Sequence, residues 1–336
     1  MNNALLKRMT KRTEFYIFIV LVVLCIAIHI MSGGNLLVPD KIFTILRAMT
    51  VDGIFALCCL VVMVSGGFDL SFPAIAALSY SLATTISLTM GWGTTSPILG
   101  FLMAMVFGMI LGMLNGWIIS NFKLNTMLVT LGTQTLFTGI SMGLLKLKEI
   151  TSTLPTGYKS LGAAKITTYT TTIGSRQVSS DLSVTILFLI LFCILASFLL
   201  NKTMFGRALY AIGGNEVSAE RAGYNVKKVK FILYTVVGMV SGFAGMLRVC
   251  LSSQAVPKAL VGKEMTIIPA VILGGASIFG GEGSVFGTMC AIALITVVSN
   301  SMIVLGIDSA WQDLMNGIII LIGITVSAVQ AKRHHG

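Results

Sequence analysis

Three stretches of this chain carry residues that can do more than pack. The first is Ser65-Gly66-Gly67-Phe68-Asp69-Leu70-Ser71-Phe72-Pro73, an acid and two hydroxyl or ring neighbours set in a glycine break. The second is Leu273 to Ser284, where Gly274, Gly275, Gly280, Gly281 and Gly283 crowd within ten residues around Phe279 and Glu282. The third is the polar island from Phe205 to Lys230, with Arg207, Arg221, Lys227, Lys228 and Lys230 against only Glu216 and Glu220. Asp69 and Glu282 are the acids to watch, because an ionisable group at membrane depth needs a partner and usually serves function. The island offers a different chemistry, a charged surface for contact with another macromolecule.

These stretches must be positioned by apolar elements, since the 336 residues are 55% hydrophobic and only 10% charged. A soluble protein carries about 25% charged residues, so the fold class is an all-α polytopic membrane protein. Runs of apolar residues fall near 15–31, 45–66, 72–90, 97–120, 124–145, 183–201, 230–252, 265–280, 284–305 and 311–330, about ten spans by length. The formal net charge of +11 lies beside these spans, where topology and anionic lipid account for it without a nucleic-acid partner. Dense Lys and Arg clusters at 7–12, 202–230 and 332–333 put both termini and the 202–230 loop on the cytoplasmic side. The N-terminal apolar run has no small-residue cleavage site after it and reads as a retained first span.

Residues 1–336 therefore form a single transmembrane domain with a cytoplasmic loop at 202–230 and an outer loop at 146–182. The outer loop is rich in Thr, Ser and Gly; its β-branched run at Ile166–Ile173 suits a short strand or hairpin. A disordered tether and a docking surface for an external protein are both open for it. Gly108, Gly112 and Gly116, and again Gly238, Gly242 and Gly245, line helix faces and permit close packing. In the island, Asn215 can cap a short helix over 215–222, Gly213 and Gly214 free its leading turn, and Gly223 suits its stop. The two glycine breaks, Gly66-Gly67 and Gly274-Gly275 with Gly280-Gly281, stand at corresponding places in two halves of the chain, a pattern of transporters with broken helices. Inner-face turns between spans are the plainer reading.

Other chemistry is missing. No G-x-x-x-x-G-K-[ST] loop is present, so this chain does not bind ATP in that manner. It has no H-E-x-x-H or C-x-x-C, and its six cysteines lack metal-ligand spacing. An enzyme is not indicated, no cofactor or metal is expected on the chain, and energy for pumping must come from elsewhere.

With Gly66-Gly67-Phe68-Asp69-Leu70-Ser71, Leu114-Asn115-Gly116, Val129-Thr130-Leu131-Gly132-Thr133, Ala211–Asn215 with Ala219 and Gly223, and the run from Gly274 to Thr288, the sequence resembles the permease subunits of bacterial ABC importers for ribose, galactosides and related monosaccharides. The matches run in order over about residues 45–330. It departs from that pattern at Phe68, Phe72-Pro73, Asn125-Thr126-Met127 and Met265–Ala270. The resemblance implies an importer of a monosaccharide or similar small polar solute in the bacterial inner membrane. It implies a second permease subunit, identical or homologous, two cytoplasmic ATPase subunits carrying ATP-Mg, and an extracytoplasmic solute-binding protein. Similar permeases carry autoinducer-2 or nucleosides; an ATP-independent channel or secondary transporter is the alternative of a different class. Gly213, Gly214, Asn215, Glu216, Ala219 and Gly223 are the expected coupling element to the ATPase. Phe68, Asp69, Ser71, Asn115 and Phe279 are the expected pathway residues, rings for stacking and short polar groups for hydroxyls.

Overall fold

The computed structural model describes residues 13–304 except 35, 37, 93–95, 152, 174 and 175, together with 311, 312, 314, 315, 317, 318, 321 and 325. The elements run α1 (Thr13–Met31), α2 (Pro39–Val64), α3 (Phe72–Thr89), α4 (Ile98–Phe122) and α5 (Thr126–Gly139), which continues through a π-helical turn at Ile140–Leu144. An outer segment follows, α6 (Thr156–Ala163), β1 (Lys165–Ile173) and β2 (Arg176–Ser183). Then come α7 (Ile186–Lys202), α8 (Met204–Gly214), α9 (Glu216–Arg221), α10 (Val226–Ser252), α11 (Glu264–Leu273) and α12 (Val285–Val304).

Seven of these helices are long and apolar enough to cross a membrane, or eight if α7 and α8 count as one bent span. The expected span at 265–280 is instead the ten-residue α11, which ends at Gly274. Ten residues rise about 15 Å, half the hydrocarbon thickness. The short helix and its preceding turn thus form a half-length tip, joining the Cys250 end of α10 to the Gly280–Gly281 turn. The span expected at 311–330 lies largely outside the described residues, as do both termini.

Tight backbone approach holds the bundle together. A Cβ on Gly108 would overlap the carbonyl oxygen of Gly238, and one on Gly238 would overlap that of Gly108. One turn on in each direction, Gly112 meets the Tyr234 carbonyl, and Gly242 meets that of Ala104. With no hydrophobic drive between helices in lipid, such dispersion contacts are the main source of helix association. Gly245 faces the other way, against Ala76 and Tyr80 of α3. An aromatic cluster of Phe101, Phe188, Phe192 and Phe243, with centroids of the contacting rings 5.0–5.4 Å apart, fills the neighbouring space. Buried α2 runs through the centre, while α1 is peripheral, lying against α12 through Phe18 and Phe286.

The outer segment is folded. Strands β1 and β2 pair antiparallel, with Lys165 opposite Ser183 and Ile173 opposite Arg176. Ser180 donates to Asp40 at the start of α2, and Lys165 pairs with Asp181 at 3.3 Å. A hydrogen bond from Thr168, joined by the Lys165 charge, holds the Asp181 carboxyl below the usual range. Tyr158 of α6 shares a proton with Ser87 at 2.6 Å, and Gly162 sits directly on the Cys250 carbonyl. The sequence allowed a tether here; these contacts make a cap fixed to α3 and α10.

At the opposite, cation-rich end, Thr203 breaks the chain between α7 and α8. Its hydroxyl donates to the Leu199 carbonyl at 2.6 Å and accepts the Gly206 N–H at 3.0 Å. The two helices meet at 71°, and α8 lies back across the bundle with Ala208, Leu209 and Ile212 buried.

Gly108→Ala and Gly238→Ala are expected to destabilise by about 1–3 kcal/mol through overpacking. Gly132, with open space around it, gives the control: Gly132→Ala should leave the thermal unfolding midpoint in detergent unchanged or raised.

Candidate functional site

At the cation-rich end, expected to face inward, helix α9 is six residues long and capped as its sequence dictates. The Asn215 side chain accepts the Ser218 N–H at 2.8 Å, and Gly223 ends the turn with φ of 89°. Ala219 is buried in a small cluster with Ile212 and Val226, whereas Val217, Glu220 and Arg221 face outward. Two ion pairs tie α9 to its neighbours: Lys230 to Glu216 at 2.6 Å and Lys123 to Glu220 at 3.8 Å. Gly213 and Gly214 belong to the last turn of α8, so the freedom expected of them at the leading turn of α9 is not what they provide. Gly213 permits contact: a Cβ there would overlap the Val64 carbonyl oxygen and lie 2.5 Å from the Gly281 nitrogen. A Cβ on Gly214 would meet nothing within 4 Å.

Both glycine breaks end on this same spot. Gly66, with φ of 77°, lies against Gly213, and a Cβ on Gly280 would stand 2.6 Å from the Gly66 Cα. The Gly281 N–H donates to the Val64 carbonyl at 3.0 Å, and the Tyr210 hydroxyl of α8 donates to the Gly283 carbonyl at 2.9 Å. Gly66, Gly213, Gly280 and Gly281 thus form a knot joining α2, α8 and the turn before α12. Gly67 sits one residue inside it, and Gly274 packs on Thr288 of α12, with Gly275 at φ of 92° beside it.

Above the knot the first break turns back into the bundle. Asp69 is 2% exposed; its Oδ1 accepts the Ser71 N–H at 2.7 Å and the Ser71 hydroxyl at 2.6 Å. Asn115 of α4 donates to the Ser71 Oγ at 2.7 Å, while Asp69 Oδ2 and Asn115 Oδ1 are left without partners. The backbone on either side is satisfied by α5: the Phe68 N–H donates to the Thr126 hydroxyl at 2.9 Å, and the Leu70 N–H to that of Thr130 at 3.1 Å. Asp69, Ser71 and Asn115 are therefore brought together, with half-buried Phe68 beside them. Phe279 is not; it is 90% exposed at the inner end. Glu282 is exposed as well, so the two breaks differ in depth. A cleft of about 790 Å³ opens on the inner side between α9 and the α4–α5 turn, lined by Phe68, Thr126, Lys123, Glu216, Glu220 and Lys230 among others.

The sequence reading missed a second buried acid. Glu264, 3% exposed, opens α11, and its Oε1 accepts from Gln134 Nε2 of α5 at 2.6 Å. Its neighbour Lys263 turns the other way to Asp52 of α2 at 2.9 Å. The tip is further held by the Tyr80 hydroxyl on the Val256 carbonyl at 2.6 Å and by the Ile150–Ala255 bridge. The available signal was the spacing of Thr126, Thr130, Gln134 and Thr138, polar residues every fourth position of an apolar helix. Among the described residues no group of His, Cys, Asp and Glu is arranged to hold a metal ion.

The profile of the family described as "Branched-chain amino acid transport system / permease component" matches residues 41–324. The ribose import permease protein of Bacillus subtilis is 33% identical, covering 91% of this chain and 90% of the relative. The xylose transport system permease protein of Haemophilus influenzae is 28% identical over 96% of this chain and 99% of its own. The L-arabinose ABC transporter permease protein of Azospirillum brasilense is 28% identical over 86% and 80%. No solved structure matches the chain.

Asp69→Ala strips two donors of Ser71 of their acceptor, and should cost about 1–3 kcal/mol of stability. Glu282→Ala, at an exposed position, should cost nothing measurable in the same detergent unfolding assay.

Proposed function

The chain belongs to the branched-chain amino acid transport system / permease component family, as a permease of the sugar ABC-importer class, and from that premise we propose that it moves a pentose or similar monosaccharide inward on energy supplied by a separate ATPase. The observation that carries this reading is the knot at Gly213. Helix α9 presents Val217, Glu220 and Arg221 at the inner face, and the helix before it meets both glycine breaks backbone to backbone at Gly213. A force applied to α9 therefore reaches the break that carries Asp69 with no flexible side chain in between.

In this reading the ATPase subunits grip Asn215–Arg221 from the cytoplasm. Closure on ATP shifts α8 and α9, drags the Gly66 and Gly280 turns with them, and alternately opens the inner cleft and the outer face. The chain contributes no catalytic group to hydrolysis. Its exposed apolar faces, among them Leu102, Val106 and Ile110 on α4, meet lipid or a second permease subunit. A solute-binding protein outside the bacterial cytoplasmic membrane delivers the sugar. Relatives are named for ribose, xylose and L-arabinose, which makes pentoses the first solutes to try.

The test is uptake of radiolabelled D-ribose, D-xylose and L-arabinose into proteoliposomes holding the chain, its co-purified ATPase and the binding protein. ATP-dependent accumulation of at least one is expected. Accumulation that continues when the ATPase is omitted overturns the reading and marks a channel or secondary transporter. Within the working system, Gly213→Ala should lower uptake by about tenfold or more, since overpacking on backbone costs more than 1.4 kcal/mol. Gly214→Ala, facing open space, should transport as the parent does.

A further inference from the structure

A small, partly open chamber lies beyond the first break, between the start of α3, the π-helical end of α5 and the half-length tip. It measures about 10 Å³, room for one water at most. Gln134, Thr138, Ser141 and Glu264 give it a polar lining, and Pro73 and Leu260 are part of its apolar wall. Two polar atoms of the lining residues are buried without a hydrogen-bond partner, Glu264 Oε2 and Ser141 Oγ. Glu264 is 3% exposed and Ser141 2%. Leaving a buried acceptor and a buried hydroxyl unmatched costs free energy, and two such groups on one polar chamber can be completed together by a molecule that both donates and accepts.

The chamber lines up with the inner cleft. Thr126 lines the cleft; Gln134 and Thr138 line the chamber; they follow one another along α5 at steps of eight and four residues, a stripe that turns by about 40° with each step of four. The rise from Thr126 to Thr138 is about 18 Å. Thr130, midway and fully buried, is the plug: its hydroxyl accepts the Leu70 N–H at 3.1 Å and donates to the Thr126 carbonyl at 2.9 Å. Asp69 stands beside this plug, in the break whose backbone Thr126 and Thr130 hold. The break is in turn tied to Gly213 through Gly66. Motion of α8 thus bears on the two threonines that separate cleft from chamber.

We propose that Glu264, Gln134 and Ser141 form a solute-contact site for neutral, hydroxyl-bearing solutes, bridged in this conformation by the Glu264–Gln134 hydrogen bond and reached along the Thr126–Thr130–Gln134–Thr138 stripe of α5. The inference rests on the import reading and deepens it. Opening frees a carboxyl, an amide and a hydroxyl, which between them accept from and donate to vicinal hydroxyl groups.

Ser141→Cys in the full importer reports opening through a small, cationic, membrane-impermeant thiosulfonate, with the parent chain and its six cysteines as background. Modification should speed up by about tenfold or more when ATP is added without sugar, and slow again when a transported pentose is present. Glu264→Gln should raise the half-saturating pentose concentration about tenfold, the loss of one carboxyl hydrogen bond, with Glu264→Asp falling between. Labelling that ignores ATP, or a Glu264→Gln variant with the parent's half-saturation, overturns the site. If the parent carries none of the three pentoses, the sugar assignment fails by itself, while ATP-driven labelling of Ser141→Cys still upholds the chamber as part of the path.

Discussion

Close approach of bare backbone is the constraint on which this molecule depends. Helices α4 and α10 touch along Gly108, Gly112, Gly238 and Gly242, and three separate chain segments meet at Gly66, Gly213 and Gly280. In lipid, burying apolar side chains gains nothing against a solvent equally apolar, so packing must come from contact density. Glycine gives that density at the cost of local helix stability, about 1 kcal/mol each against alanine. The two uses differ in consequence. Along α4 and α10 the glycines make a rigid pair, while at the inner end they make a junction where turns with positive φ, at Gly66, Gly280 and Gly281, can redirect the chain.

Irregular backbone inside the bundle brings a second requirement, that every peptide group find a partner without water. The break after α2 meets it with side chains: Thr126 and Thr130 take the N–H groups of Phe68 and Leu70, and Asp69 takes that of Ser71. These partners lie on two different elements, so the break cannot move without moving α5 or changing its bonds. A buried acid that satisfies local backbone explains Asp69 structurally, yet its second oxygen is unmatched.

Elements whose signal is local were legible in the sequence. Long apolar runs marked the spans, Asn215 and Gly223 bracketed α9, and the glycine repeats on α4 and α10 marked a packing face. What depended on partners far along the chain was not. Gly213 and Gly214 look alike in sequence, and only the arrival of Val64 and Gly281 separates them. Residues 265–280 are apolar enough to span, but the five glycines that follow or end the run cut α11 at Leu273. Phe279 shares a motif with the second break and nothing with the Asp69 cluster, because the second break stays at the surface while the first folds inward. Glu264 and Gln134 stand 130 residues apart and announce nothing singly.

The half-length tip shows how adjacent side chains can fix a half-helix that has too little length to anchor itself. Lys263 reaches α2 at Asp52 and Glu264 reaches α5 at Gln134, so the tip is pinned from both flanks. The two bonds differ in kind. The Lys263–Asp52 contact is an ion pair with both side chains about a third exposed, so water competes for it. The Glu264–Gln134 contact is buried at its carboxyl end and pairs it with a neutral amide, whose loss a hydroxyl-bearing molecule can make good.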